Sequence, residues 1–455
     1  MSESIIVTKF GGTSMANIPM MRKCAEIVAL HPGKRIVIVS ATSGTTNQLT
    51  SLCTPLPEGE KERLLEEIKN RHLGMAAELK NKDQVIPAIR NLLKELKEAV
   101  EQLESGSMAD RDLILSFGER LSSTVFAEVL NELTSDVTWM DVREVMLTDD
   151  FFGSAEPQII EIAKRAKKQL IPMVKRGRVV SQGFIGSTID GKTTTLGRGG
   201  SDYSAALFAE AVGAAVLEIW TDVRGIYSTD PRIVKEARPI AEMTFNEAAE
   251  LAIFGAKVLH PATLKSAIRK KTEVFVGSTS EPEKGGTRIL EKTSENPVIR
   301  AISLRRKQTL LTIHSLDMLH RFGFLARIFE ILAKHKISVD LVTTSEVNVS
   351  LTLDTGIQSD NQHRLTPKVL EELRSFSKVS VDRDLALIAL VGNKLHTSSG
   401  ISGLVFGALS DFNIRMICHG ASSHNLCFLV DEDRVDEAVK ILHRKFIAGD
   451  RKNER

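Results

Sequence analysis

The sequence predicts an α/β fold in which a sheet of buried parallel strands precedes a duplicated smaller module. The continuous apolar run Arg35–Ser40 is typical of a parallel strand buried on both faces, and the run Leu217–Asp222 also reads as a strand. Each run opens into a loop of small or polar residues, where open α/β sheets bind ligands. Farther along, residues recur without gaps at a spacing of 77, beginning with Gly323 and Gly400. A chain of 455 residues is too long for one core, so we expect two or three domains.

The amino terminus predicts a phosphate site. Ser4–Thr8 reads as a strand, Ile18–Leu30 reads as a helix, and Lys9-Phe-Gly-Gly-Thr-Ser14 joins them. The N–H groups of Gly11 and Gly12 could hold a phosphate that the Lys9 ammonium also contacts. A Gly-Gly turn with an incidental lysine is an equally good interpretation of this stretch alone.

A second glycine loop, Thr193–Asp202, predicts an anion site. Gly197, Gly199 and Gly200 let the backbone approach a ligand, and Arg198 adds a planar fork suited to a carboxylate or phosphate. A helix is expected from Tyr203, with Ser201 or Asp202 as its N-cap. The alternative is an ordinary capped glycine turn.

Other segments are interpreted as scaffold. Glu58–Glu104 is mostly helical, and Phe117 starts a further helix in which Glu119 either complements the helix dipole or holds an ammonium. Gly186–Thr193 matches the P-loop pattern formally, but β-branched residues follow it, so we expect a hairpin tip. Glu273–Gly277 should close the sheet, and Gly285–Thr287 and Ser294–Pro297 should form a linker.

The carboxyl-terminal third is an internal repeat of two small domains. The first copy consists of Gly323, Phe329, Leu332, Ile337, Ser345, Asn348 and Asp354, and the second of Gly400, Phe406, Leu409, Ile414, Ser422, Asn425 and Asp431. In each copy the sequence predicts the order strand, helix, strand, strand, helix. No acid, base and nucleophile cluster there, which favours binding or regulation. A dimerisation module without a ligand is the alternative.

Composition excludes several classes of protein. The net charge is only +2 and long Lys/Arg runs are absent from the sequence, so we expect no nucleic-acid partner. No stretch of eighteen apolar residues and no signal peptide occur, so we expect no membrane partner and a cytoplasmic location. Cys24, Cys53, Cys418 and Cys427 are scattered, which favours reduced thiols over a metal site.

Four motifs together resemble the aspartate kinases. They are Lys9–Ser14, Thr194–Asp202, Trp220-Thr-Asp222 and Phe254-Gly-Ala-Lys-Val-Leu-His-Pro261. The similarity extends to Thr343–Glu346 and Ala421–Asn425, and it is greatest to the lysine-sensitive monofunctional branch. No G-x-G-x-x-G motif occurs, so we expect no fused homoserine dehydrogenase.

The resemblance implies a three-layer αβα amino-acid-kinase domain, similar to carbamate kinase, followed by two βαββαβ ACT domains. The kinase domain would comprise residues 1–292, the first ACT domain residues 300–383 and the second ACT domain residues 384–455. The strand near 300–304 would join the second ACT domain. It implies that ATP phosphorylates the side-chain carboxylate of L-aspartate, giving 4-phospho-L-aspartate and ADP in diaminopimelate, lysine, threonine and methionine biosynthesis. ATP and Mg²⁺ would be the cofactors, with no metal site built by the protein.

The resemblance also assigns roles to residues. Catalysis would depend on Lys9, Asp202, Gly11 and Gly12. Aspartate would be bound by Thr46, Glu119, Arg198, Gly199, Gly200 and Ser201. The nucleotide would be bound by Lys9, Thr221, Asp222, Tyr227, Arg232 and Lys257. L-lysine, as feedback inhibitor, would be bound by Met318, Phe324, Leu325, Ser338, Val339, Asp340, Ser345 and Glu346.

The regulatory prediction depends on the residue at position 321 and on the oligomeric state, and two rival functions compete with it. Arg321 places a bulky cation where the lysine-sensitive branch tends to have a small polar residue, and a cation there would weaken or retune lysine binding. A homodimer through the ACT domains, or a tetramer, is expected. The rival functions are a kinase of glutamate or a related carboxylate, and a catalytically silent ACT-type sensor of amino acids.

Overall fold

The structure, a computed structural model, describes residues 4–255, 259–319, 322–353 and 365–449. They fall into two compact units. The first comprises Met1–Ile226, Pro239–Ala248 and Lys257–Thr293. The second comprises Tyr227–Arg238, Ala249–Ala256 and Ser294–Arg455. The domain boundaries 292, 300 and 383 stay predictions.

Ten strands lie in the described part of the first unit. They are β1 (Ile6–Phe10), β2 (Lys34–Val39), β3 (Val137–Trp139), β4 (Arg178–Gln182), β5 (Ile185–Ser187), β6 (Thr193–Thr195), β7 (Val216–Thr221), β8 (Glu242–Thr244), β9 (Glu273–Ser278) and β10 (Gly286–Leu290). Eight form one sheet in the order β3-β4-β2-β1-β7-β9-β10-β8. Pairing is parallel from β3 to β9, as the buried apolar runs predict.

Ten α-helices accompany these strands along the described part of the chain. They are α1 (Ile18–Ala29), α2 (Thr45–Leu52), α3 (Glu60–Ala77), α4 (Lys82–Glu101), α5 (Met108–Thr134), α6 (Ile159–Arg165), α7 (Ile171–Val174), α8 (Gly200–Val212), α9 (Phe245–Ile253) and α10 (Pro261–Lys270). A continuous core joins α1 to α5 with β1 and β2, and its largest buried side chains include Phe10, Phe117 and Phe126.

Three expectations for this unit are confirmed or corrected. The hairpin interpretation of Gly186–Thr193 is confirmed, because β5 and β6 pair antiparallel. The linker prediction for Gly285–Thr287 is wrong: Gly286 begins β10, which pairs antiparallel with β9. β9 therefore does not close the sheet, since β10 and β8 lie beyond it. A strand as short as β10 carries little apolar periodicity, and the glycines at its start favour a linker when only the sequence is considered.

The second unit contains one sheet of six strands within its described residues. They are β11 (Ala301–His314), β12 (Val339–Thr344), β13 (Asn348–Leu353), β14 (Lys378–Val391), β15 (Met416–His419) and β16 (Asn425–Asp431), in the order β12-β13-β11-β14-β16-β15. The long strands β11 and β14 pair antiparallel along their length, with register shifts between Arg305 and Leu310. Each contributes to both repeats.

Within the described residues, four α-helices follow β11 in this unit: α11 (Phe324–Lys334), α12 (Pro367–Arg374), α13 (Ile401–Ala408) and α14 (Val435–His443). The repeat predicted from sequence is visible in the backbone. Gly323 and Gly400, at equivalent positions, are the N-caps of α11 and α13 with φ of 81° and 79°. That left-handed conformation favours glycine. Separate apolar cores lie under the two repeats.

Two observations bear on the class of protein. Across the described ranges, none of the helices combines the length and apolar character that crossing a bilayer requires. All four cysteines are free thiols, as predicted. The cytoplasmic location stays a prediction.

Candidate active site

A cleft of about 560 Å³ lies at the carboxyl ends of β2, β1 and β7, three adjacent strands. Its lining is drawn from separate loops: Lys9, Gly11, Gly12, Thr13, Ser40, Ala41, Thr42, Ser43, Gly44, Thr46, Glu119, Phe184, Gly197, Arg198, Gly199, Gly200, Ser201, Asp202, Thr221 and Asp222. The helices α2 and α8 begin at this cleft, so the positive ends of two helix dipoles lie there. The fold thus brings the two predicted anion loops together.

An ion pair between Lys9 and Asp202 lies in the cleft. Lys9 is the penultimate residue of β1, and its Nζ lies 2.6 Å from Oδ1 of Asp202 in the first turn of α8. Their side chains are only 10% and 15% exposed. Partly buried charges of this kind have few alternative positions, so the pair orients the ammonium.

The glycines after β1 differ in what they can donate. The Gly11 N–H donates to the carbonyl of Trp220 at 3.1 Å, so it is not available for a phosphate as the sequence analysis expected. A Cβ on Gly12 would lie 3.1 Å from the Ala41 carbonyl oxygen, which explains the need for glycine there. Gly12 is therefore the better candidate for a backbone donor.

The second glycine loop closes directly onto α8. The helix begins at Gly200, three residues before the predicted start, and its N-cap is Gly199 rather than Ser201 or Asp202. Gly197 and Gly199 have φ of 72° and 70°, the region that glycine adopts freely. The expectation failed because polar cap residues are commoner N-caps than a left-handed glycine.

His260 packs against the glycine loop of the site, although the sequence analysis does not single it out. A Cβ added to Gly199 would lie 2.5 Å from Cβ of His260, so the imidazole packs directly on the glycine loop. Burial lowers the His260 pKa, while the charge of Asp202 raises it and that of Arg198 lowers it. The signal was available, since His260 lies in the motif Phe254–Pro261 that supports the family resemblance.

Glu119 presents a buried carboxylate to the cleft. It lies in the middle of α5, not in a first turn, because α5 begins at Met108. One oxygen accepts from the Ala41 N–H at 3.1 Å, and the other, Oε2, is buried without a hydrogen-bond partner. Burial raises the Glu119 pKa to about 8, although nearby Lys9 opposes this. An orphaned acceptor in a ligand cleft suits a cationic group.

The loop after β2 is held by a buried polar network. Thr42 Oγ1 lies 2.6 Å from Thr45 Oγ1 and 3.1 Å from His72 Nε2. Burial lowers the His72 pKa to about 4, so the ring is neutral at pH 7. Arg71 donates to Thr45 Oγ1 at 2.7 Å. These bonds fix the backbone that presents Thr46 to the cleft.

The predicted nucleotide residues are not all placed in the cleft. Thr221 and Asp222, at the end of β7, line it, and the Thr221 hydroxyl donates to Asp222 at 3.0 Å. Tyr227 and Arg232 belong to the second unit, where Arg232 forms an ion pair with Asp230 at 2.6 Å. Lys257 lies outside the described residues.

The predicted effector residues lie in the first repeat. Met318, Phe324 and Leu325 lie at or just before the start of α11, and the Phe324 ring packs edge-on against Phe376. Asp340, in β12, forms an ion pair with Arg305. Val339 also lies in β12, and Ser345 directly follows the end of that strand. The other predicted effector residues are Ser338 and Glu346. Arg321 lies outside the described residues.

Large apolar side chains are exposed around these residues. They are Leu316, Leu319, Phe322, Leu325, Phe329 and Val342. Phe322 is fully exposed, which is unusual for so large an apolar side chain. Exposed apolar side chains of this size are typical of an interface with another protein.

Comparison with known protein families matches both parts of the chain. The model of the amino acid kinase family matches residues 4–278, and that of the ACT domain matches residues 311–356 and 388–446. Lysine-sensitive aspartokinase 3 of Escherichia coli is 50% identical over 97% of this chain and 99% of its own length. Aspartokinase 3, chloroplastic, of Arabidopsis thaliana is 35% identical over 98% of this chain and 82% of its own.

Solved structures give the same result. The E. coli aspartokinase III complex with aspartate and ADP (R-state) has a TM-score of 0.88, with 50% identity over 97% of this chain and 99% of that chain. The E. coli complex with lysine and aspartate (T-state) has a TM-score of 0.83 at the same identity and coverage. The predicted fold class, a kinase domain followed by ACT domains, is therefore confirmed.

Proposed function

We infer that this chain, which belongs to the aspartokinases of the amino acid kinase family, transfers the γ-phosphoryl group of ATP to the side-chain carboxylate of L-aspartate. It is a phosphotransferase with a carboxyl group as acceptor, and the products are 4-phospho-L-aspartate and ADP. The observation that supports this most strongly is one cleft that holds both the Lys9–Asp202 pair and the orphaned Glu119 oxygen. A cation for phosphates and an anion for an ammonium are what this pair of substrates requires.

The chemistry requires charge neutralisation rather than a base. A side-chain carboxylate, with an ordinary pKa near about 3.9, is already ionised at pH 7. It must approach a γ-phosphoryl group that carries charge of the same sign. At about 4 Å and an effective dielectric of about 20, each unit pair repels by about 4 kcal/mol, or roughly a thousandfold in rate. Lys9 is placed to cancel that repulsion, and Asp202 positions its ammonium.

Aspartate binding is assigned to both sides of the cleft. Arg198 receives the α-carboxylate, because its planar guanidinium suits two parallel hydrogen bonds to a carboxylate. The α-ammonium lies against Glu119 Oε2, which then gains the partner that it otherwise lacks. Thr46 and Ser201, with the backbone of Gly199 and Gly200, supply further hydrogen bonds at the beginnings of α2 and α8.

ATP binding is assigned to the β1 and β7 ends of the cleft. Gly12 and Lys9 contact phosphates, with Gly11 shaping the turn, and Thr221 and Asp222 contact the rest of the nucleotide. Roles for Tyr227, Arg232 and Lys257 stay predictions. Among the described residues, no group of three or more His, Cys, Asp or Glu side chains could hold a metal ion. We propose that Mg²⁺ enters with the ATP phosphates, where it would neutralise phosphate charge.

We also propose that L-lysine inhibits the enzyme through the first ACT module. Lysine sensitivity is named for the E. coli relative, and a lysine complex of E. coli aspartokinase III exists. Asp340 and Glu346 would face the lysine ammonium, so the ligand must compete with Arg305 for Asp340. The exposed apolar side chains of the same module support a homodimer, or a tetramer, that forms through it.

A coupled assay of ADP release with a panel of acceptors tests the proposal. Aspartate should support turnover, whereas glutamate should not, because its extra methylene moves the reacting carboxylate away from Lys9 once both α-groups are bound. A preference for glutamate would support the rival kinase. Absence of ADP release with every acceptor would support the catalytically silent sensor.

A further inference from the structure

The side chain of Glu250 is bound by the second ACT module as a ligand would be. Glu250 lies in the last turns of α9, in the part of the chain that belongs to the second unit. Ser422 Oγ donates to its Oε1 at 2.6 Å, and Asn425 Nδ2 donates to its Oε2 at 2.6 Å. Both carboxylate oxygens are thus held by neutral side-chain donors.

The same two donors occur in the first ACT module without a glutamate between them. Ser345 and Asn348 are the repeat equivalents of Ser422 and Asn425. In the first module the Asn348 amide nitrogen donates to Ser345 Oγ at 3.3 Å, so the two side chains bond to each other directly. In the second module the Glu250 carboxylate bridges them.

We propose that the second ACT module retains a carboxylate-binding site and that the chain's own Glu250 occupies it. The ligand class is a small aliphatic carboxylate, such as the carboxylate end of an amino acid, held by Ser422 and Asn425. The comparison with the first module rests on the proposed effector site, but the binding of Glu250 does not depend on catalysis.

Neighbouring contacts hold Glu250 in this position. Ser303 Oγ donates to the Phe254 carbonyl at 2.8 Å, and Arg305 donates to the carbonyl of Ile253. A Cβ on Gly255 would lie 2.8 Å from the Leu304 carbonyl oxygen, so the backbones of this segment and β11 are in close contact. A tethered ligand has a very high effective concentration, which excludes free carboxylates from the site.

Replacing Glu250 should therefore open the site. Glu250→Ala removes the equivalent of one acetate ion, so acetate is the probe. The thermal midpoint of the full-length variant should fall by several degrees, since two charge-assisted hydrogen bonds are lost. Acetate should raise that midpoint saturably, relative to chloride at equal ionic strength. Wild type and the control Glu371→Ala, a change on the exposed side of α12, should respond less, because in both of them Glu250 still occupies the second-module site.

An equal response to acetate in wild type and Glu250→Ala would overturn the proposal, as would a response that survives the addition of Asn425→Ala. A second pair of variants applies if Glu250→Ala does not fold. Glu250→Gln should lower the midpoint, and adding Asn425→Asp, which exchanges donor and acceptor, should restore it. A double variant no more stable than Glu250→Gln would contradict the proposal. None of these readouts uses kinase activity, so they remain separable from the proposed function.

Discussion

Raising the pH from about 7 to about 8.5 should lower the KM for aspartate, because only ionised Glu119 can pair with the substrate ammonium. Burial of Glu119 raises its pKa to about 8, and its Oε2 has no hydrogen-bond partner within the described cleft. Free enzyme at neutral pH therefore carries Glu119 mostly in its protonated form. Deprotonation must precede or accompany aspartate binding.

The size of the effect follows from that pKa. With a pKa of about 8, roughly one Glu119 in eleven is ionised at pH 7 and about three in four at pH 8.5. The apparent affinity scales with the competent fraction, so KM should fall about eightfold over this range. Keeping below the pH at which the substrate ammonium deprotonates isolates the contribution of Glu119.

Initial rates at saturating ATP, with aspartate varied at each pH, measure this directly. The matched control is Glu119→Gln, which keeps the shape and loses the charge. Its KM at pH 8.5 should be about 10- to 150-fold higher, the value of a charge-assisted hydrogen bond of about 1.5–3 kcal/mol. Its KM should also be independent of pH. A flat wild-type profile, or the same slope in Glu119→Gln, would refute the reasoning.

Four further predictions concern the same machinery. Lys9→Ala and Asp202→Ala should both fold and bind aspartate. The kcat of Lys9→Ala should fall roughly a thousandfold, because about 4 kcal/mol of repulsion between the two anions is no longer cancelled. Near-normal turnover of Lys9→Ala would show that Lys9 is not catalytic. Arg198→Ala should chiefly raise the KM for aspartate with a smaller change in kcat, and steady-state kinetics that show the reverse would argue against the α-carboxylate contact. Because the pKa of Glu119 is higher in the folded than in the unfolded protein, its contribution to stability is fully present below about pH 4.5 and is lost as the pH rises through about 8. Without ligand, Glu119→Gln should therefore have a higher thermal midpoint than wild type at about pH 9, but not at about pH 4.5. Lysine titrated against the initial rate should inhibit, and Asp340→Ala should weaken that inhibition; a flat response up to millimolar lysine would defeat the effector proposal.

Sequence patterns predicted the parts of the fold that rest on periodicity and repetition. Buried apolar runs identified β2 and β7, and the repeat at 77 residues identified two related modules. The continuity of β11 and β14 through both modules does not follow from such patterns, because strand pairing depends on tertiary contacts rather than on local sequence. The short strand β10, where the sequence predicts a linker, likewise depends on its pairing with β9 and β8.

The sequence predicts which loops form the candidate site, but not how their side chains and backbone groups are arranged in it. The glycines and Lys9 were identified from their positions after strands, and the cleft brings those loops together. The Gly11 bond to Trp220, the position of Glu119 within α5 and the packing of His260 on Gly199 all depend on neighbours distant in sequence. Spacing alone cannot reveal which donor is already occupied.

A crystal structure with a non-hydrolysable ATP analogue, Mg²⁺ and L-aspartate tests the central claim most directly. Lys9 Nζ should lie within about 3.5 Å of both a γ-phosphate oxygen and the side-chain carboxylate of aspartate, with the substrate ammonium against Glu119 Oε2. A Lys9 ammonium turned away from both anions, with another cation between them, would contradict the account.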